Sequence, residues 1–338
     1  MKLEFLKLAA DERRLYIEQA AQRRNLSPVV MEKDFWVCWL LGVLFQSEFA
    51  PHLVFKGGTS LSKVFGVIER FSEDIDLSLS PEFLNLPLAG TSRNQANKWM
   101  AKAEAACSVA VELQIAPNLN EAVETQLGKA KHSWFEYLLD PHTRSPVLLF
   151  HYPTLQPDGF EYLQRSVKME FGSLTDQQPT GQHWIRPWIS DVLPAAFSDW
   201  QCIVVALEIE RSFWEKATIL HTEFYRPAEK ATPDRFSRHY ADTASLAKHP
   251  AVQLAIKQDA LRERVVEWKS RFFGSTWAKY EWAKPGTFRL VPPIERQAEL
   301  RRDYQAMRDM YLIEPMSFEQ VLTVLQELEN TINEVSSR

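Results

Sequence analysis

The sequence predicts an α+β protein, and three observations carry the prediction. Helical periodicity fills about the first fifty residues. Short runs, "HLVFK", "DIDLSL", "SPVLLFHYPTL" and "RSVKMEFGSL", then read as strands. Beyond the proline-containing stretch from Pro179 to Pro194 the pattern becomes helical again. The expected division is therefore 1–195, carrying the sheet and the N-terminal helices, and 196–338, a helical C-terminal domain. A chain of 338 residues is long enough for this, since each part can bury a core.

Taken in order, Leu15, Ile17 and Ala20 begin one helix, and Ser27-Pro28 is a good start for the next because proline is tolerated in a first turn. "FWVCWLLGVLF", from Phe35 to Phe45, is too short to span a membrane and follows the charged "EKD"; it reads as a buried core helix. The strand "HLVFK" is ended by Gly57 and Gly58. Leu61, Val64, Phe65 and Ile68 follow at helical spacing, which predicts a helix with one buried face. Ser60 and Lys63 lie off that stripe and are expected at its N-terminal mouth.

"DIDLSL" alternates, with Ile75, Leu77 and Leu79 on one face and Asp74, Asp76 and Ser78 on the other. A helix is expected from about Asn94 to Leu113. In "RSVKMEFGSL" Val167, Met169 and Phe171 share a face, and Lys168 and Glu170 share the opposite one, after a turn at Gln156-Pro157-Asp158-Gly159. The later helices are expected at about 200–222, 233–247, 250–271 and 294–309, with a last one from Ser317. Ser317 and Gln320 form a capping box ahead of the apolar stripe Phe318, Val321, Leu322 and Leu325.

Composition narrows the function classes. Hydrophobic residues are 45% and charged residues 25%, the balance of a globular chain. A net charge of -5 argues against coating nucleic acid by bulk electrostatics, while leaving room for a local basic face. Cys38, Cys107 and Cys202 are scattered and form no metal-ligand spacing, so a reduced cytoplasmic location is expected. The N-terminus lacks an apolar signal region. No membrane association is expected.

The pattern with chemical content is "KGGTSLSKVFGVIERFSEDIDLSL". Two carboxylates at i and i+2 on a strand point the same way, about 7 Å apart along the chain. Such a pair suits Mg²⁺, a hard cation that often bridges substrate phosphates. With Glu170 from another strand, three acids could hold two ions for phosphoryl or nucleotidyl transfer. Glycines let backbone N–H groups approach a phosphate, and Thr59, Ser60, Ser62 and Lys63 add donors. "GGTSLSK" is nevertheless not a Walker A loop. A Gly pair alone is usually a turn, and a lone Asp-x-Asp is usually a solvated face; their order favours a site.

In the helical half, "ALEIERSFWEKATIL" buries Leu207, Phe213, Trp214, Ala217 and Leu220, and Glu215 and Lys216 read as a solvated face. "PDRFSRHYADTASL" predicts a surface pair between Arg238 and Asp242. Arg262, Arg264, Lys269, Arg271, Arg301 and Arg302 could guide RNA, but interleaved acids favour solvated helix faces.

Together with "VKMEFGSL", "RSFWEKATILH" and "RHYADTASL", the Gly-Gly and Asp-Ile-Asp motifs resemble those of the AbiEii/AbiGii toxin family of bacterial nucleotidyltransferases. The resemblance implies a polymerase-β-like nucleotidyltransferase mixed sheet flanked by helices, with an appended helical domain. It implies nucleotide contacts from Gly57, Gly58 and Ser60, metal binding by Asp74 and Asp76, and functional roles for Lys216 and Asp242. Related toxins add nucleotides to tRNA 3′ ends and are neutralised by a co-encoded antitoxin.

The expected activity is transfer of a nucleoside monophosphate from an NTP to an RNA 3′-hydroxyl, most plainly tRNA, with two Mg²⁺ ions. Asp74, Asp76 and Glu170 are the expected metal ligands. Thr59, Lys63, Lys216 and Arg238 join the Gly pair and Ser60 around the nucleotide, and Asp242 completes the set. Two alternatives stand beside this: transfer to a protein hydroxyl, and a catalytically silent nucleotide-binding regulator. A metal-dependent nuclease is disfavoured because "KME" lacks the Glu-x-Lys order.

Overall fold

A computed structural model describes residues 3–87, 92–141, 143–156, 165–198, 200 and 202–334. From Pro157 on, the expected turn at Gln156-Pro157-Asp158-Gly159 lies outside the described residues. The chain forms two compact units, the first comprising Met1–Val64, Phe71–Leu88 and Trp99–Ala206, the second Phe65–Arg70, Ala89–Lys98 and Leu207–Arg338.

The first unit is built on a mixed sheet flanked by helices. Its strands are β1 (Leu53–Lys56), β2 (Ile75–Leu79), β3 (Phe135–Leu139), β4 (Pro146–Phe150), β5 (Val167–Gly172), β6 (Thr180–Ile185) and β7 (Cys202–Leu207). They lie in the order β3-β4-β5-β2-β1-β7-β6. β2 runs antiparallel to β1 and parallel to β5, and β7 runs parallel to β1. The helices are α1 (Glu4–Lys7), α2 (Ala10–Arg24), α3 (Pro28–Leu44), α4 (Gly57–Lys63), α5 (Arg93–Ala110) and α6 (Ala116–Leu127). Residues of α5 up to Lys98 belong to the second unit.

α3 is the core helix that its apolar run predicts. Ser27 caps it, its hydroxyl accepting from Val30 N at 3.2 Å, and Pro28 occupies the first turn. Phe35, Trp36 and Trp39 are buried in an aromatic cluster that includes Phe150 and Tyr152, where large rings bury the most apolar area per side chain. All three cysteines are buried free thiols.

The second unit contains α7 (Ile209–Phe224), α8 (Ser237–Leu246), α9 (Pro250–Ala255), α10 (Asp259–Phe272), α11 (Ile294–Ala306) and α12 (Phe318–Glu334). The expected capping box of α12 is formed: Ser317 N donates to Gln320 Oε1 at 2.8 Å, and Gln320 N donates to Ser317 Oγ at 3.2 Å.

Several expectations need correction. The helix expected from about 200 begins as strand β7, whose run "CIVVAL" is apolar on both faces and carries no period to separate strand from helix. β3 and β6 lie outside the four runs that read as strands. The helix expected from Leu61 to Ile68 ends at Lys63, and Gly66 (φ +61°) lies in the left-handed region just beyond. The expected 250–271 helix is two, α9 and α10. Among the described residues no helix is long and apolar enough to cross a membrane.

Candidate active site

Register across the sheet assembles the first part of the site. Asp76 on β2 is the pairing partner of Lys56 on β1 and of Glu170 on β5. Residues aligned across neighbouring strands project to one face. Lys56, Asp76 and Glu170 therefore stand in one row, with Ile75, Leu77 and Leu79 turned into the core. Asp74 precedes β2 by one residue. Ser78 does not join them in solvent: it is fully buried, and Gln177 Nε2 donates to its carbonyl at 2.9 Å.

Gly57 explains how the acids and the helix come so close. Its φ is +80°, and a methyl group there would lie 2.0 Å from Asp76 Oδ2 and 2.7 Å from Cγ. The absent side chain is the space that the Asp76 carboxylate fills. Glycine is required at 57 both by backbone conformation and by this approach. Gly58 lies inside α4, where it leaves the first turn bare.

The polar residues of α4 divide. Thr59 is buried, and its hydroxyl donates to the carbonyl of Asp74 and pairs with Ser72 Oγ, so it ties α4 to the start of the acidic strand. Ser60 is 1% exposed, and its hydroxyl has no hydrogen-bond partner among the described residues. A buried unsatisfied hydroxyl is costly and calls for a ligand or an ordered water. Lys63 is not at the helix mouth. It is the last residue of α4, and its ammonium lies 2.5 Å from Asp34 Oδ1 and 4.5 Å from the centre of the Trp188 ring. Burial alone would discharge this lysine; the Asp34 carboxylate outweighs that and keeps it protonated.

Asp34 belongs to "EKD", three consecutive residues of α3 that are all buried. Glu32 accepts from Thr154 Oγ1 and Leu155 N, each at 2.7 Å. Lys33 pairs with Glu73, beside Asp74, and Asp34 also accepts from Trp188 N at 2.7 Å. One turn of helix thus ties down four segments of the unit. In the sequence the only signal was the triplet's position inside a helix otherwise read as core.

The Asp74 carboxyl is pushed up to about 6, first by burial and then by the neighbouring Asp76 charge, with Lys168 and Lys33 opposing. Glu170 is engaged: Lys168 Nζ lies 3.0 Å from its Oε2 and 4.0 Å from Asp140 Oδ2. Among the described residues no three His, Cys, Asp or Glu side chains converge as a metal cage. A close Asp pair still fits Mg²⁺, which commonly takes one or two carboxylates and completes its shell with water and substrate phosphate.

The second unit holds another charged group. Asp242 on α8 is 2% exposed; Arg70 Nε and Nη2 reach its two oxygens at 2.9 Å each, and Lys216 Nζ of α7 lies 2.9 Å from Oδ2. Burial pushes this carboxyl up, but the two cations overcome that and hold it well below the usual carboxylate range. The expected Arg238–Asp242 pair does not form, and Lys216 is not on a solvated face. Arg70, the bidentate partner, was unassigned in the sequence; its sequence position, four residues before Asp74, gives no hint of a contact with residue 242. His239 lies in the same group with its Nδ1 buried and unpartnered, and burial holds the ring neutral.

A family model described as nucleotidyl transferase AbiEii toxin, type IV TA system, matches residues 39–324. The chain belongs to this family. It is a nucleotidyltransferase of the AbiEii type, and its mixed sheet flanked by helices is α+β. Among solved structures, the nucleotidyltransferase toxin MenT4 of Mycobacterium tuberculosis H37Rv is similar with a TM-score of 0.44 and 17% identity, over 96% of this chain and 99% of that one. No curated protein matches. Members of the AbiEii family work on an NTP with a divalent metal, and their type IV systems pair a toxin with an antitoxin.

Proposed function

We propose that this AbiEii member transfers a nucleoside monophosphate from an NTP to the 3′-hydroxyl of an RNA, most plainly a tRNA, in Mg²⁺-dependent fashion and under the control of an antitoxin encoded nearby. In the reaction a bond forms between the acceptor oxygen and the α-phosphorus, the α–β bridge breaks, and pyrophosphate leaves. The observation that supports this best is the Asp76 carboxylate seated against Gly57, with the Ser60 hydroxyl buried and unpartnered in the turn beyond.

Asp74 and Asp76 are assigned as the residues that would hold Mg²⁺, and Glu170, now paired with Lys168, would be the third acid available to it. The metal would supply charge neutralisation on the transferring phosphoryl group and activation of the acceptor hydroxyl. Gly57, Gly58 and Ser60 offer backbone and hydroxyl donors to phosphate. Lys56 is added to these because it stands opposite Asp76. Thr59 and Lys63 become positioning residues, the first holding the Asp74 backbone and the second tying α4 to α3. Lys216 is assigned to phosphate charge, Arg238 to orienting nucleotide or acceptor, and Asp242 with Arg70 to fixing the Lys216 ammonium.

The test is incubation of purified protein with total tRNA and each α-labelled NTP in turn, with and without Mg²⁺. Label should enter RNA with one NTP or a few and should require the metal. Asp76→Asn should reduce incorporation at least about a hundredfold, the scale for removing one transition-state charge partner. Undiminished labelling by that variant would remove Asp76 from the site. Label in protein instead of RNA would remove the acceptor assignment.

A further inference from the structure

The region from Lys269 to Arg289 runs against the charge of the whole chain. It holds Lys269, Arg271, Lys279, Lys284 and Arg289 against the single acid Glu281, in a protein of net charge -5; from outside the stretch Glu267 pairs with Arg271 and Glu329 with Arg289. Aromatic residues are interleaved with these cations, and the rings are not all core. Phe273 is 51% exposed and Trp282 is 44% exposed. Lys279 lies over Trp282 at 5.5 Å, Lys269 over Phe273 at 5.4 Å, and Arg226 over Trp277 at 4.9 Å, with Lys230 at 5.9 Å from the same ring.

This surface is fastened to the helix that carries Lys216. His221, five residues further along α7, is fully buried, and burial pushes its imidazole down to about 4, so the ring is neutral. Its Nδ1 accepts from Arg289 N at 3.1 Å, which leaves Nε2 to donate to Lys279 O, also at 3.1 Å. Arg262 is not a solvated RNA guide: it is 4% exposed and donates to Ala283 O at 2.7 Å. Both ends and the middle of the 279–289 segment are thus pinned, and the segment presents Trp282 on a fixed base.

We propose that Phe273, Trp277, Trp282 and the cations around them form the surface that holds a single-stranded stretch of the acceptor RNA. Stacked bases need exposed aromatic faces, and the backbone between them needs cations at the same spacing. A protein partner would be matched better by a larger apolar patch with fewer charges. This inference rests on the RNA-transfer reading above and names the surface of the second unit that holds the acceptor.

The experiment uses the full-length protein, total tRNA and a 12-nucleotide single-stranded oligoribonucleotide, with binding followed by fluorescence anisotropy at several salt concentrations. Trp282→Ala and Lys284→Glu alter exposed side chains, and unchanged thermal melting verifies their folds. Each should weaken RNA binding roughly tenfold, and Lys284→Glu should also flatten the salt dependence. In transfer assays the KM for RNA should rise while the KM for NTP and kcat stay as in the wild type. Asp76→Asn should bind RNA normally while losing transfer.

RNA binding by a Phe273→Ala/Trp282→Ala/Lys284→Glu variant at wild-type strength overturns the proposal, even where wild-type protein labels RNA and the function stands. Loss of antitoxin capture by that variant with RNA binding intact also overturns it, in favour of a protein-docking face. Wild-type protein that binds RNA through these residues but labels none with any NTP upholds the surface and overturns the acceptor of the proposed reaction.

Discussion

Asp74 and Asp242 are the same residue type, the first half-buried and the second buried, and their carboxyls shift in opposite directions. Asp74 is raised to about 6 by burial and by Asp76, with Lys168 and Lys33 only moderating the repulsion. Asp242 meets Arg70 and Lys216 at hydrogen-bonding distance and is held far below the usual range despite burial. Direct contact with two cations decides the difference. The first arrangement stores unneutralised negative charge ready for a cation; the second is already neutralised and holds its own cations still.

The largest test removes the neutralised acid. Asp242→Ala should cost about 5 kcal/mol, the upper end for breaking a buried ion pair, because two cations lose their partner. Urea unfolding would measure it. The sign with pH follows from the depressed folded value: the stabilisation is complete above the unfolded pKa of about 4 and fades only as pH falls below that. An Asp242→Ala variant as stable as wild type would erase the contrast with Asp74.

Lys63→Met should cost about 3–5 kcal/mol by stranding Asp34, and the double variant Lys63→Met/Asp34→Leu should recover most of it. NTP affinity of the double variant should equal that of wild type, as judged by calorimetry. A loss there would return Lys63 to the nucleotide.

Gly57→Ala should destabilise by about 2 kcal/mol through its positive φ alone, with further cost from displacing Asp76. Transfer should fall with it, because the acid moves.

Asp74→Asn sharpens the comparison through pH. A carboxyl raised to about 6 from an unfolded value near 4 binds protons more tightly when folded, so stability declines as pH rises from about 4 to 6. Replacing it should stabilise the metal-free protein by about 2–3 kcal/mol above that window and by nothing below it. Conversely, in the wild type, metal affinity should weaken as pH drops through 6, since protons compete for the same oxygens.

The smallest effect belongs to Lys168→Ala. Removing this cation frees Glu170 and withdraws one of the charges that lower Asp74. The acidic limb of the transfer profile should move up by less than about one pH unit, as rates across a pH series would reveal.

Local pattern settled much of this in advance. The alternation in "DIDLSL" and "VKMEFGSL" separated core from polar faces, Ser27-Pro28 and the Ser317/Gln320 box placed two helix starts, and the Gly pair marked the turn. These signals lie within a few residues of one another, where periodicity and capping act. β7 escaped because its residues are apolar on both faces, the exposed Ile203 included, so the sequence holds no polar alternation to read.

What only the tertiary structure decided is which distant groups meet. Register set Glu170 and Lys56 beside Asp76, a consequence of strand order that sequence spacing does not encode. Burial turned "EKD" into an anchor and Lys63 into its partner, and it paired Asp242 with Arg70 across 172 positions in place of the nearby Arg238. The reason is physical: a charge removed from water takes whichever partner packing delivers within hydrogen-bond reach, and packing is a property of the whole fold.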